Sequence, residues 1–132
     1  SGAGAHAGAG VLAVGEVGPG AIRAIGTSAQ PITLTSGGTI PGGWTGVRVG
    51  QYADSATLFT HVTVDYAGYP LPIPGSFQFR VDLGPIIQNS VISNSSGCGI
   101  IIGSGIPWST DFTDPALGNT FTNNAGGPVC GP

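Results

Sequence analysis

Acidic side chains are the first groups to consider for chemistry, because paired carboxylates bind calcium and transfer protons in the cleavage of sugar polymers. The chain has 6 of them, and they are scattered: Glu16, Asp54, Asp65, Asp82, Asp111 and Asp114. Only Asp111 and Asp114 fall in one short segment, "TDFTDP", where they could hold a calcium ion together with main-chain carbonyls. Asp is also a common turn and capping residue, and we favour that role for both.

Histidine could supply acid–base or metal chemistry, and the chain has 2 histidines. His61 and Asp65 lie four residues apart on a predicted strand, so both should face the same side and could form a hydrogen-bonded pair. The sequence around them offers no nucleophile or third group to complete a catalytic set. His6 lies in a Gly/Ala-rich segment without a neighbouring ligand. We therefore predict a protein that is not an enzyme and that carries no metal or cofactor.

Aromatic and cationic side chains could instead bind carbohydrate. Trp108 and Tyr69 lie in two proline-rich segments, and further aromatic candidates are Trp44, Tyr52 and Tyr66. Arg48 in "GVRV" and Arg80 in "FQFRV" occupy similar positions, so they should stack or lie one turn apart on an outer face. They could recognise an acidic sugar, but we favour two solvated charges that block lateral strand pairing. For the aromatic residues we likewise favour packing back over the protein to glycan binding.

Charge and hydropathy argue against several partner classes. Charged residues make up 7% of the chain, against about 25% in ordinary soluble proteins. The net charge is −3 and lysine is absent, so we expect neither nucleic acid nor an anionic membrane surface as a partner. No apolar run approaches the roughly 18 residues of a membrane-spanning helix, so no membrane insertion is expected. The opening "SGAGAHAGAG" lacks the regions of a signal peptide, and we interpret Ser1 as the start of a processed, exported chain located outside the cell or on its surface.

A repeat of about 29 residues runs along the chain. The phrase "VISNSSGCGI" from position 91 returns in altered form as "TFTNNAGGPV" from position 120. Aligning the chain against itself gives an apolar column, spaced by 30, 28 and 29 residues, of Leu34, Val64, Ile92 and Phe121. A period of roughly 20–50 residues indicates stacked units that cannot bury their apolar faces alone.

The pattern inside each repeat is that of β-strands. "PITLT", "HVTVD" and "FQFRV" alternate two by two, and 25 glycines with 11 prolines disfavour helices. Short strands with glycine corners fit a coil in which each strand pairs in parallel with its copies about 4.8 Å above and below. The predicted strands are 11–15, 21–26 and 32–36 in a first turn, 46–49, 58–65 and 76–81 in a second, then 86–93, 99–102 and 119–123, with 129–130 starting another.

Three segments carry a resemblance to a known fold family. "GWTGVRVGQYADSATLFTHVTVDYAG", "PIIQNSVISNSSGCGIII" and "GNTFTNN" resemble, in that order, the right-handed parallel β-helix repeats of secreted and surface bacterial proteins, which share the pectate-lyase-like superfold. The resemblance covers roughly residues 21–124. It implies an all-β fold, a short right-handed parallel β-helix of about four turns of three strands. It implies little about activity, because this superfold carries lyases, adhesins and inert spacers alike.

A single domain is expected over residues 1–132, which is the length of one domain. Within it, residues 1–10 form a Gly/Ala-rich segment that could donate a strand to a neighbour. Residues 67–75 and 104–118 are proline-rich insertions that should leave the coil as side loops, where such folds commonly carry function.

The cysteines Cys98 and Cys130 are the only two, and two cysteines in an exported protein usually pair. In the self-alignment Cys98 falls opposite Gly127 and Cys130 opposite Ile101. The two cysteines therefore lie in adjacent turns but are offset along the strand. A bridge within the chain and a bridge between chains both fit this placement.

The two ends of the coil lead to the functional prediction. A parallel β-helix has unpaired strand edges at both ends, and uncovered edges recruit other chains. No segment has the periodicity of a capping helix, so the chain is either a piece of a longer β-helix or a unit whose identical copies close each other's edges. The residues expected at the edges between subunits are Val11, Leu12, Val14, Val129 and Cys130.

We therefore predict an extracellular structural protein that assembles head to tail into a filament, with identical subunits as its partners. Two alternatives are kept. One is a carbohydrate-binding or carbohydrate-active surface module with glycans as partners, and the other is a stalk fragment of an adhesin.

Overall fold

The computed structural model describes residues 10–69 and 75–131. The Gly/Ala-rich segment 1–10, apart from Gly10, and the middle of the predicted loop 67–75 lie outside these residues. The described chain forms strands β1 (Val11–Val14), β2 (Arg23–Ile25), β3 (Ile32–Leu34), β4 (Gly46–Val49), β5 (Leu58–Thr60), β6 (Val62–Asp65), β7 (Gly75–Phe79), β8 (Ile87–Gln88), β9 (Val91–Ser93), β10 (Cys98–Ile102), β11 (Thr120–Thr122) and β12 (Val129–Cys130). A short 3₁₀ turn spans Pro115–Leu117.

These strands form three parallel sheets, which we call sheet A, sheet C and sheet D. Sheet A runs β1-β4-β7-β10-β12, sheet C runs β2-β5-β8, and sheet D runs β3-β6-β9-β11. Every paired strand is parallel to its partner and belongs to a neighbouring repeat. The all-β class is as predicted, and the stacked parallel sheets are consistent with a parallel β-helix.

The predicted apolar column is confirmed by the strand register. Leu34 is paired with Val64, Val64 with Ile92, and Ile92 with Phe121. A second column in sheet A joins five strands through Leu12, Val47, Phe77, Ile100 and Val129. Side chains of like position therefore stack above one another along the coil, as parallel pairing requires.

Aromatic rings fill the middle of the stack. Phe59 and Phe77 are fully buried, with ring centroids 5.1 Å apart in an edge-to-face arrangement. Phe79 stacks on Phe112 with centroids 5.4 Å apart, and Phe112 is 1% exposed. Pairs of this geometry contribute about 0.5–1.5 kcal/mol beyond the apolar area that they bury.

Two predicted strands are each divided in the structure. The predicted strand 58–65 is β5 and β6, broken at His61, and the predicted strand 86–93 contains β8 and β9, broken at Asn89. His61 has φ 52° and Asn89 has φ 50°, a left-handed conformation that turns the chain from sheet C into sheet D. The predicted strand 76–81 belongs to the third repeat rather than to the second. It corresponds to β7, which pairs with β4 of the second repeat on one side and with β10 on the other.

Asparagine side chains replace main-chain partners at the last corners of the coil. The Asn124 amide donates to Ile92 O at 3.0 Å and accepts from Ser95 N at 3.0 Å. The Asn119 amide likewise donates to Ile87 O at 2.8 Å and accepts from Ser90 N at 3.1 Å. Each amide therefore satisfies a main-chain N–H at a corner of the repeat below and links it to the carbonyl three residues earlier.

Replacing Asn124 with alanine should lower the free energy of unfolding by about 1–3 kcal/mol, because the N–H of the buried Ser95 loses its partner and the carbonyl of the buried Ile92 loses one donor. Denaturant unfolding measures this change. Asn123→Gly is the matched control, since Asn123 has φ 56° and glycine adopts that conformation without strain. Equal losses in the two variants would contradict the role given to the Asn124 amide.

Candidate functional site

The Asp82 carboxylate fastens the segment 104–118 to the end of the β7 region. It accepts hydrogen bonds from Ser109 N at 2.8 Å, from the Thr110 hydroxyl at 2.6 Å and from Gly84 N at 2.9 Å. Partial burial by itself raises the pKa of this carboxyl, but the hydrogen bonds, that from Thr110 foremost, outweigh burial and bring the pKa below its ordinary value of 3.8. The lone pairs of Asp82 are therefore used to hold the loop.

Trp108 packs back onto the coil. Its ring lies 5.4 Å from the Phe79 ring and 6.0 Å from the Phe112 ring, measured between centroids. Its indole N–H donates to Thr110 O at 2.6 Å. The segment predicted as a side loop thus also supplies Phe112 to the core, and Trp108 is held in one orientation by packing and by a hydrogen bond.

A surface groove of about 620 Å³ lies beside Trp108. Its walls are Arg80, Val81, Asp82, Ile106, Pro107, Trp108 and Ser109. Arg80 is exposed, and Asp82 is occupied by the loop. The groove therefore offers a fixed aromatic ring and one cation to a ligand.

Arg48 and Arg80 do not form the stacked pair that the sequence suggested. Arg48 is in register with Gln78, so Arg80 lies two residues further along its strand region. The Arg48 Nε donates to Gln78 Oε1 at 3.3 Å, and its Nη1 lies 3.7 Å from Glu16 Oε2. Both members of this ion pair are partly exposed, so it contributes little to stability. The misplacement arose because "GVRV" aligns with "SFQF" rather than with the end of "FQFRV".

Tyr69 lies apart from the Trp108 groove. Its N–H donates to Trp44 O at 3.0 Å, and the buried Trp44 indole donates to Asp65 O at 2.8 Å. Among the described aromatic rings, Trp108 is paired with Phe79 and Phe112 rather than with Tyr69. The structure therefore does not gather the two loop aromatics into one platform.

The carboxylates that could have bound calcium serve turns. Asp111 Oδ1 accepts from Thr113 N at 2.9 Å and from its hydroxyl at 2.5 Å, and these bonds lower the pKa of Asp111. Asp114 caps the 3₁₀ turn by accepting from Ala116 N at 2.9 Å. In residues 10–69 and 75–131, no three His, Cys, Asp or Glu side chains are grouped as metal ligands.

His61 and Asp65 do not share a strand face, contrary to the prediction. His61 forms the corner between β5 and β6, with φ 52°, so the two-residue alternation that would align it with Asp65 is interrupted there. The Asp65 carboxylate accepts from Asn94 Nδ2 at 2.9 Å and from the Ser93 hydroxyl at 3.1 Å. It therefore joins two repeats at a corner.

The disulfide Cys98–Cys130 forms within the chain, which settles the alternative that the sequence left open. Cys130 is in register with Ile101, as the self-alignment indicated, and the two cysteine Cα atoms lie 6.1 Å apart. The bridge fastens the two-residue strand β12 to β10. Such a bridge is compatible with an extracellular location.

Apolar residues of the first repeat are only half-buried, whereas the equivalent residues of the second repeat are fully buried. Leu12 and Leu34 are half-buried, whereas Val47 and Val64, which lie one position further along the same columns, are 0% exposed. A recess of about 340 Å³ lies between β1 and β3, with walls of Val11, Leu12, Thr33, Leu34, Thr35 and Trp44. We call the outer side of β1, β2 and β3 the N-terminal end face.

Most of the large exposed apolar side chains among the described residues lie in the first repeat, in its strands or in the connections between them. Four belong to the first repeat: Val11, Val17, Ile25 and Ile40. Val17 is 94% exposed and Ile40 is 75% exposed. At the other end, Phe121 and Val129 are half-buried above the fully buried Ile92 and Ile100. We call the outer side of β11, β12 and the 3₁₀ turn the C-terminal end face.

Replacing Thr110 with valine should raise the pKa of Asp82 towards 3.8, because the strongest hydrogen bond to the carboxylate is lost. A carboxyl whose pKa is lowered by folding stabilises the fold above its unfolded pKa and loses that contribution as the pH falls below it. The pH dependence of stability that Asp82 contributes below about pH 3.8 should therefore shrink. Carboxyl NMR titration and acid unfolding measure both effects, and an unchanged Asp82 titration would contradict the assignment. Thr113→Val, which acts on Asp111, is the matched control.

Comparison with protein-family models, with curated proteins and with solved structures finds no match to this chain. In the part of the chain that the structure describes, no helix is both long enough and apolar enough to cross a membrane. The β-helix-like architecture therefore rests on the observed parallel pairing and register.

Proposed function

We propose that this protein is an extracellular structural element whose end faces are completed by further parallel coils, supplied by identical subunits that stack head to tail into a filament. The observation that carries the proposal is the burial gradient along the columns. Leu12 and Leu34 at one end and Phe121 at the other are half-buried, while the residues between them are fully buried. Covering the end residues would bury apolar area worth about 25 cal/mol per Å².

Main-chain pairing supports the same proposal. Within the described residues, β1 has a partner on one side only, and so has β12. A strand edge left in this state is a template for strand addition by another chain. The charged fraction of 7% and the net charge of −3 leave little repulsion to oppose stacking.

The finer fold assignment belongs to this proposal. We place the chain in the right-handed, pectate-lyase-like type of β-helix, with about four turns and with 104–118 as a lateral insertion. The handedness is supported by the general rule that connections between parallel strands of one sheet are right-handed in about 98% of cases. An exported location is supported by the disulfide between Cys98 and Cys130.

Replacing Ala13 with proline should prevent assembly and leave the subunit folded. The Ala13 N–H faces away from β4, so proline removes a donor from the open edge and adds a ring there. We expect the critical concentration for polymer formation to rise about tenfold or more. A tenfold rise corresponds to a loss of about 1.4 kcal/mol in the free energy of stacking. Sedimentation velocity and electron micrographs measure assembly, and near-UV circular dichroism reports the fold.

Ser28→Pro is the control, because Gln30 N donates to Thr27 O across a turn in which Ser28 occupies a position that accepts proline. It should assemble like the parent protein. Discrete particles for the parent protein at every concentration would overturn the filament proposal, and would favour the stalk alternative, in which further coils come from the same chain.

A second candidate function, binding of an acidic carbohydrate, is favoured by the groove that brings Arg80 beside Trp108. A sugar ring can stack on an indole held by Phe79 and Phe112, and a carboxylate can pair with an exposed guanidinium. The groove lies on the side of the coil, so this function is compatible with stacking at the ends.

Replacing Arg80 with alanine should weaken binding of a uronic-acid hexasaccharide by about tenfold or more, because a charge-assisted contact contributes about 1.5–3 kcal/mol. Isothermal titration calorimetry measures the change. Arg23→Ala removes a cation elsewhere and should leave binding unaltered. A neutral glucan of equal length should bind the parent protein and the Arg80→Ala variant equally. Identical affinities of the parent protein for the acidic and the neutral sugar would contradict this candidate.

A further inference from the structure

We propose a specific docking register between two copies, in which Val129 of one subunit lies over Leu12 of the next and Phe121 lies over Leu34. This inference rests on the proposed stacking and adds the partner surface, the direction and the register. Two independent features define the register, namely the direction in which main-chain groups point at each edge and the columns of apolar side chains.

In sheet A, the open edges have complementary main-chain groups. Thr45 N donates to Gly10 O at 2.8 Å, and Gly50 N donates to Val14 O at 2.8 Å. Alternate residues of a parallel strand face the same neighbour, so Leu12 also faces β4, while the N–H and C=O groups of Val11 and Ala13 face the open side.

At the other end of sheet A, Ile100 N donates to Pro128 O at 2.8 Å. Pro128 therefore faces β10, and the N–H and C=O of Val129 face the open side. With Val129 over Leu12 of the next copy, Val129 N donates to Val11 O, and Ala13 N donates to Val129 O. This is the same pattern that Ile100 makes with Pro128 inside the subunit.

Sheet D gives the same answer independently. Thr120 N donates to Ser90 O at 2.8 Å and Thr122 O accepts from Asn94 N at 3.0 Å, so the main chain of Phe121 faces the open side. At the first repeat, Ile32 N donates to His61 O at 3.0 Å, which leaves Thr33 and Thr35 facing outward. With Phe121 over Leu34, Phe121 N donates to Thr33 O, and Thr35 N donates to Phe121 O.

Side-chain packing agrees with this register. The 340 Å³ recess on the N-terminal end face is bounded by Leu12, Leu34 and Trp44 among others. Val129 and Phe121 are the last members of the columns that begin with Leu12 and Leu34. The proposed contact therefore places the half-buried Phe121 ring in the recess and continues both columns across the interface.

The charges at the two ends are of opposite sign. Arg23 in β2 of the first repeat is exposed and its Nη1 donates to Ala56 O at 2.8 Å, and Asp114 is exposed at the start of the 3₁₀ turn of the C-terminal end face, which it caps. In sheet C, Ile25 is in register with Thr60 and Thr60 with Gln88, and Asn89 N donates to Leu117 O at 2.8 Å.

Leu117 therefore continues the column of Ile25. Arg23 of the next copy, at the start of β2, then lies near the 3₁₀ turn that Asp114 caps. A head-to-head contact would instead bring two Arg23 guanidinium groups to one interface and two Asp114 carboxylates to the other. The proposed register thus brings opposite charges together. Because both side chains are exposed, this gives only a modest preference for head-to-tail over head-to-head contact.

Cysteine cross-linking tests the register. The residues Thr33 and Thr120 are exposed, precede Leu34 and Phe121, and would be adjacent across the interface. Strands in register lie about 4.8 Å apart, which a disulfide can span. A mixture of the single variants Thr33→Cys and Thr120→Cys should give a disulfide-linked dimer under oxidising conditions, detected by non-reducing electrophoresis and mass spectrometry.

Thr63→Cys is the matched control, because Thr63 lies in the same outward column but pairs with Thr33 and Val91 inside its own subunit. Mixed with Thr120→Cys, it should give at least about tenfold less dimer, a difference of about 1.4 kcal/mol. Dimers formed by Thr120→Cys alone would indicate a head-to-head contact and would overturn the register. Filaments of the parent protein without the Thr33–Thr120 cross-link would also overturn it and leave the proposed function intact, whereas absence of any assembly would overturn both.

Charge reversal gives a second measurement that needs no cysteine chemistry. Arg23→Glu alone and Asp114→Arg alone should each raise the critical concentration several-fold at low salt, and the double variant should restore it. Raised ionic strength should reduce these differences, because salt screens exposed charges over about 10 Å. Equal behaviour of the single and double variants would contradict the pairing of Arg23 with Asp114.

Discussion

Main-chain hydrogen bonding between successive repeats is the constraint on which the rest of the structure depends. Each strand must place its N–H and C=O groups against the strands of the neighbouring repeats, because unpaired buried groups are costly. The register along the sheet A column is kept although its residues are 35, 30, 23 and 29 positions apart, from Leu12 to Val129. The loops absorb these differences in length, so the stack tolerates variable connections but not a change of register.

The corners obey the same constraint by another means. Where the chain leaves one sheet and has not yet entered the next, side chains take the place of main-chain partners. Thr57 accepts from Ile22 N at 3.3 Å, and the Ser90 hydroxyl accepts from Val62 N at 3.2 Å. Asn119 and Asn124 do the same for the third repeat. Small polar residues at the corners are therefore explained by hydrogen bonding rather than by exposure to solvent, and two of them, Thr57 and Ser90, are buried.

The sequence predicted what the repeat itself encodes. The column from Leu34 to Phe121 and the placement of Cys130 opposite Ile101 follow from like residues at like positions, and the structure confirms both. The break at His61 was missed, because the alternation of apolar residues continues across it. Histidine is enriched at positive φ, as asparagine and aspartate are, but it is also found in strands, so it marks a corner less clearly than glycine does.

Features that depend on a loop folding back could not be derived from periodicity. Phe112 enters the core from a segment without strand alternation, and its only signal was an isolated aromatic residue between the turn residues of "TDFTDP". Asp82 was one of several scattered carboxylates in sequence, and its role follows from partners 27 and 28 residues away. The prediction that Arg48 and Arg80 stack was wrong for a related reason. A two-residue shift between alternating segments preserves the pattern of apolar and polar residues but changes the partner of every residue.

The groove and the end faces differ in what a ligand would gain from binding them. Around the groove, Asp82 already accepts hydrogen bonds from the loop, and the Trp108 indole already donates to Thr110. A ligand there competes with water for one guanidinium and one ring. At the end faces, strand edges with one described partner coincide with half-buried columns, so a further coil would satisfy main-chain groups and bury apolar area together. Both gains require the same register, and this supports the proposal of a partner that repeats this chain's own coil geometry rather than one of unrelated shape.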